Sequence, residues 1–164
     1  MTTTALTLAS NRPQVGDAFL KFELGSHIPA VLPMRQVQEV VSLPMHRLTS
    51  MPNMPACVLG LMNRRSRVLW VIDLARVLGI GFMDASVREC NVMIARTGTT
   101  ALGIAVPHVE GMAWLPPTDI QPPPGHVASG LVPYLRGCVL RSQEILLVLD
   151  AEAILHSSML HEDS

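Results

Sequence analysis

The sequence predicts a mainly β domain: two small barrels around a shared hydrophobic core, with a short helix closing each half. Three observations support this. One segment of the chain is stated twice, its apolar runs have strand length, and proline-bearing loops separate roughly ten strand-like segments. The duplication is clearest between Cys57 to Leu78, CVLGLMNRRSRVLWVIDLARVL, and Arg136 to Leu155, RGCVLRSQEILLVLDAEAIL. Gly60 aligns with Gly137, Val68 with Ile145, Val71 with Val148, Asp73 with Asp150 and Leu78 with Leu155. Upstream, Val37-Gln38-Glu39-Val40 with Leu43-Pro44 lines up with Val109-Glu110-Gly111-Met112 and Leu115-Pro116. The chain therefore divides into a tail at 1–17, one domain at 18–156 made of halves at 18–82 and 88–156, and a tail at 157–164.

In chain order, the N-terminal tail carries little periodicity. Phe19 to Leu24, the turn Gly25-Ser26-His27 and Ile28 to Leu32 read as a hairpin. Met34 to Val41 fits a third strand, because valine is frequent and a proline stands close on each side. Leu43 to Pro55 contains Pro44, Pro52 and Pro55 and is mostly loop. Val68 to Ile72 and Ile145 to Leu149 hold only Val, Ile, Leu and Trp, the composition of a strand covered on both faces. Asp73 and Asp150 follow these runs and are placed to cap the helices Leu74 to Leu78 and Ala151 to Leu155. Gly79 to Ser86 is a linker. Asn91 to Arg96, the turn Thr97-Gly98-Thr99, Ala101 to Val106 and Val109 to Leu115 supply the strands of the second half. Pro116 to Gly125 holds five prolines and forms a stiff surface loop.

Composition narrows the function. A chain of 164 residues buries about 70% of its unfolded surface. With 49% hydrophobic and 15% charged residues, it needs either a large core or a partner over part of its apolar surface. No apolar run approaches the ~20 residues of a spanning helix and the N-terminus lacks the pattern of a signal peptide, so a cytoplasmic protein is expected. Three cysteines without a C-x-x-C pair suit a reducing compartment. A net charge of -1 provides no long-range attraction for nucleic acid.

Signs of catalysis are absent. The phosphate, dinucleotide, zinc-protease and hydrolase motifs do not occur. His27, His46, His108, His126, His156 and His161 stand singly, Cys57 and Cys138 fall in apolar runs, and Cys90 has no neighbouring His or basic pair to lower its pKa. No catalytic residue, metal or cofactor is expected. Two features suit binding instead. Arg64-Arg65-Ser66-Arg67 is either a solvated hairpin turn or a partner contact, and arginine forks suit the contact. The loop bearing Met45, Met51 and Met54 either tucks its methionines into a barrel or offers them as a soft apolar surface.

In the order and spacing of several motifs the chain resembles the CheW-like family of chemosensory adaptors. They are Val37-Gln38-Glu39-Val40, the M-P-x-x-V-x-G run Met54 to Gly60, the turn Asn63 to Ser66, and V-I-D-L at Val71 to Leu74. Later come Pro122-Pro123-Pro124, G-L-V-P-Y-L-R-G at Gly130 to Gly137 and L-L-V-L-D at Leu146 to Asp150. The resemblance implies two five-stranded SH3-like barrels and a non-catalytic adaptor. Such an adaptor couples the cytoplasmic tip of a methyl-accepting chemoreceptor to the regulatory domain of a CheA-type histidine kinase, and meets the membrane only through the receptor. By matching position, Val37, Glu39, Gly60 and Arg65, with the neighbouring Arg64, are expected at the receptor-binding surface. The loop methionines Met45, Met51 and Met54 are assigned to the kinase.

Three departures stand out. Arg64 and Ser66 replace the Leu and Gly usual in the family's N-L-R-G turn, and loss of that Gly is expected to reshape the turn. Trp70 replaces the proline usual before V-I-D-L, and Pro107 stands where an acidic residue is common. The altered turn supports an alternative: a divergent adaptor of a pilus-motility or phototaxis pathway with a non-standard receptor.

Overall fold

Along a strand, side chains alternate between faces, so a continuous apolar run is stable only where both faces are buried. The computed structural model, which describes residues 16–157 apart from 26, 85, 126 and 128, shows how the chain meets that demand. Most of the expected N-terminal tail, and the C-terminal one from residue 158, lie outside the described residues.

The first half contains β1 (Asp17–Glu23), β2 (Pro29–Pro33), β3 (Val37–Pro44), β4 (Val58–Arg64), β5 (Arg67–Asp73) and helix α1 (Leu74–Leu78). The second contains β6 (Glu89–Thr97), β7 (Thr100–Val106), β8 (His108–Leu115), the two-residue β9 (Ile120–Gln121), β10 (Leu135–Arg141), β11 (Glu144–Leu149) and helix α2 (Ala151–Leu155). The strand expected from Met34 begins only at Val37, because Met34–Gln36 forms a turn of 3-10 helix. The proline loop contributes β9 at the outer edge of its sheet, where a strand can be short and bordered by proline.

These strands form two sheets, ordered β3-β6-β7-β5-β4 and β8-β1-β2-β11-β10-β9. They are the SH3-like barrels of a mainly β fold. Neither sheet is drawn from one sequence half alone. Hairpin β1–β2 lies in the sheet of the second half, and hairpin β6–β7 in the sheet of the first. The exchange is secured by parallel pairing, β5 with β7 (Val71 opposite Gly103) and β11 with β2 (Val148 opposite Val31).

The exchanged hairpins are sandwiched. On β6, Val92 and Ile94 face a barrel core with Leu43, Met62, Leu69 and Val71, while Met93 and Ala95 face the core shared between barrels. On β1 and β2, Phe19 and Val31 join Leu115, Leu146 and Val148 inside the other barrel, while Leu20, Phe22 and Leu32 join Leu147, Leu149 and the helical Leu74 and Ile154 in the shared core. Each such side chain contributes about 1.5–3 kcal/mol by leaving water, so the shared core is a principal source of stability.

The repeated glycines mark equivalent bulges. Register shifts between Val58 and Gly60 on β4, and between Leu135 and Gly137 on β10. A Cβ added at Gly60 or Gly137 would lie 2.5 Å from the carbonyl oxygen of Thr49 or Gln121 respectively, leaving no room for a side chain.

The repeated aspartates behave differently from each other. Asp150 caps α2 as expected, accepting from the Glu152 N–H at 3.0 Å, and Gln36 assists by donating to Asp150 and accepting from the Ala151 N–H. Asp73 makes no capping bond to α1. Its buried carboxylate accepts the Met83 N–H at 2.7 Å and so fastens the linker between the halves. Beyond α2, Ser157 is buried, its hydroxyl 2.7 Å from that of Tyr134, so the fold continues past the expected end of the domain. No described helix is long and apolar enough to cross a membrane.

Replacing Gly60 or Gly137 by Ala is expected to destabilise the protein by about 2–4 kcal/mol, read from urea unfolding midpoints. Gly130→Ala, where an added Cβ meets nothing within 4 Å, is expected to change stability by no more than ~0.5 kcal/mol.

Candidate functional site

Strands β3 and β4 are the two edges of the five-stranded sheet, with no backbone ladder between them. Side chains join them. Glu39 on β3 accepts from Arg64, the last residue of β4, with its Oε2 2.6 Å from Arg64 Nη2; its Oε1 lies 3.4 Å from Arg65 Nε. The hydrogen bond from Arg64 holds the Glu39 carboxyl below its ordinary range, and the same bond raises the Arg64 guanidinium. Arg64 Nε is buried at this seam without a partner.

The turn beside the seam is tight. Arg64 pairs with Arg67, and Arg65 and Ser66 between them have φ of 54° and 66°. Two left-handed corner residues define the hairpin turn that matches strand twist, usually with glycine or asparagine. Here neither is glycine, and each side chain costs on the order of 1–2 kcal/mol in that conformation. Ser66 takes the left-handed conformation that glycine adopts without strain, and a two-residue turn joins β4 to β5. Arg64, where the family's turn usually has Leu, reaches across the seam to Glu39.

Of the residues assigned to receptor binding, the fold brings Glu39, Arg64 and Arg65 into one cluster. Val37 lies further back on β3, half-buried against the shared core. Gly60 is buried on β4, and its contact with Thr49 accounts for it being glycine. The three methionines do not form one surface. Met45 is half-buried against the core of the first barrel, whereas Met51 and Met54 are 43% and 36% exposed. Met45 is thus tucked into the barrel, while Met51 and Met54 are left on the surface.

Two residues of the surface escaped sequence reasoning. Val68 is 65% exposed and Trp70 36%, although their run was expected to be covered on both faces. The outer end of the β4–β5 hairpin projects beyond the core, so only Leu69, Val71 and Ile72 are enclosed. Trp70, Met54, Val58, Ile72, Leu102 and Leu155 line an apolar cleft of about 220 Å³. The visible signal was a tryptophan within reach of a charged turn. By alternation, Trp70 and Val68 lie on the hairpin face opposite Leu69, which faces the barrel core as Arg64's neighbour Met62 does.

The remaining reactive groups belong to the core. Cys57, Cys90 and Cys138 are all buried. Burial, with help from Asp73, pushes the Cys90 thiol up to about 11, and burial raises Cys138 too, so thiolate is scarce at neutral pH. No cluster of His, Cys, Asp or Glu suited to a metal occurs among the described residues.

Residues 18–159 match the CheW-like domain family. The chain is 27% identical over 109 residues to the chemotaxis protein CheW of Rhizobium meliloti, covering 66% of this chain and 70% of that one. It is 31% identical over 116 residues to Protein FrzA of Myxococcus xanthus, covering 71% and 69%. The crystal structure of the scaffolding protein TtCheW from Thermoanaerobacter tengcongensis superposes with a TM-score of 0.71 at 22% identity, covering 82% of this chain and 89% of that one, and shares its fold.

The lowered Glu39 value sets a pH dependence. A carboxylate depressed in the folded state stabilises above its unfolded value and loses that contribution as pH falls through the folded one. The urea midpoint of the wild type is expected to exceed that of Glu39→Gln at about pH 7. The two are expected to converge as the pH drops below the ordinary Glu value of 4.5.

Proposed function

This chain belongs to the CheW-like family, and on that premise we propose that it is a non-catalytic adaptor of a chemosensory pathway, working in the cytoplasm. It holds the regulatory domain of a CheA-type histidine kinase and the cytoplasmic tip of a methyl-accepting receptor, so that one is positioned on the other. The observation that carries this reading is the pairing of two chemically different surfaces around one hairpin, β4–β5. The Glu39, Arg64 and Arg65 seam is polar, while Met54 and Trp70 border an apolar cleft and Met51 stands exposed on the same loop as Met54. A polar, arginine-rimmed seam suits a receptor helix that carries polar side chains. An apolar patch built on methionine and tryptophan suits the anchor of a stable kinase contact. Both surfaces are mounted on barrels fused through a shared core, so the adaptor fixes the distance between its partners.

A second reading is favoured by the turn itself. With Arg64 and Ser66 in place of Leu and Gly, the receptor side is altered, as it would be in an adaptor for pilus motility or phototaxis.

The test is co-elution of the purified chain with the regulatory domain of the CheA-type kinase from the same cell. The wild type and Arg65→Ala are expected to co-elute with it. A Met51→Asp, Met54→Asp double variant is expected to weaken the complex by at least ~100-fold, since burying two unpaired charges costs several kcal/mol. Absence of a complex with every such kinase in the cell would remove the kinase half of this reading.

A further inference from the structure

Three guanidinium groups, Arg64, Arg65 and Arg67, crowd a cleft that holds a single carboxylate, Glu39. That carboxylate is unevenly shared. Arg64 takes the short bond at 2.6 Å and keeps only 37% of its side chain exposed; Arg65 reaches Glu39 with Nε at 3.4 Å and has 73% exposed. Arg67 is exposed and makes no ion pair among the described residues. We propose that Arg64 keeps Glu39 occupied, so that Arg65 presents its outward guanidinium edge to a carboxylate on the partner segment that lies across the β3–β4 seam.

The inference rests on the receptor half of the reading above and adds the chemistry of recognition. A guanidinium is a planar fork with donors on more than one edge, and a carboxylate accepts two of them in parallel. Were Glu39 free of Arg64, it would draw Arg65 inward and compete with the partner's acid. Arg64 removes that competitor, because the strongest donor to Glu39 lies within the barrel seam. The surplus of positive charge around the cleft, in a chain whose net charge is -1, then attracts acidic groups to this turn. The occupant is a protein segment bearing Glu or Asp, and Arg64 acts through Arg65 as a positioning residue.

The experiment uses the full chain labelled with 15N at arginine, following each Nε–Hε signal during titration. The probes are a helical peptide with Glu at every fourth position, its Gln counterpart, and inorganic phosphate. A saturable shift of the Arg65 signal with the Glu peptide, little movement of Arg64, and no response to the Gln peptide are expected. Arg65→Lys, which keeps the charge and loses the fork, is expected to weaken peptide binding about tenfold. Arg64→Leu is expected to weaken it several-fold as Arg65 turns to Glu39, while unfolding remains cooperative. The proposal is overturned if Arg65 does not respond, if Arg64 and Arg65 move alike, if phosphate shifts Arg65 as far as the peptide does, or if Arg64→Leu binds as tightly as the wild type. Neither kinase nor receptor enters the titration, so such a failure leaves the adaptor reading standing, and loss of the kinase complex leaves this result standing.

Discussion

Two-sided burial of the exchanged hairpins is the constraint on which the rest of this molecule depends. Each of β6 and β2 has one set of alternate residues inside a barrel and the other inside the shared core. A sequence half deprived of its counterpart would lose two strands from its sheet and expose one wall of that core. The two barrels are therefore parts of a single cooperative unit. The linker reinforces this, since the buried Asp73 holds the Met83 backbone and prevents the connection between halves from swinging free. Such rigidity suits the proposed role, in which the offset between two docking surfaces is fixed.

The edges of the first sheet show how function was accommodated in that frame. Exposed strand edges invite unwanted pairing, and charged side chains are a common protection. Glu39 and Arg64 provide it here by spanning the seam between β3 and β4. The interaction that joins the two edges also sets the charge pattern of the turn. On the opposite face of the hairpin, Trp70 and Val68 extend the apolar surface past the limit of the core.

The duplication was legible because both copies answer the same physical demands. Gly60 and Gly137 each lie against a neighbouring carbonyl, and the inner ends of the two apolar runs, Val71-Ile72 and Val148-Leu149, are each enclosed. The hairpin exchange was not legible. Alternation tells how many faces of a strand are covered, but not which half supplies the cover. Asp73 and Asp150 hold equivalent positions, yet only one caps its helix; the difference lies in the linker, whose Met83 N–H reaches Asp73 through space. The Glu39 to Arg64 pair spans 25 positions, and no local pattern announces it. Trp70 misled because its neighbours are core residues, while its own position on a projecting hairpin depends on tertiary structure.

The most direct measurement is fragment complementation after cutting the chain within the linker, giving fragments 1–84 and 85–164. The account predicts that neither fragment alone shows a cooperative thermal transition. Mixed in equal amounts, the two are predicted to recover the circular dichroism of the intact chain and a single transition at a temperature that rises with concentration. Cooperative folding of either fragment alone as a monomer would contradict it, since each half would then close its own barrel without the exchanged hairpin or the shared core.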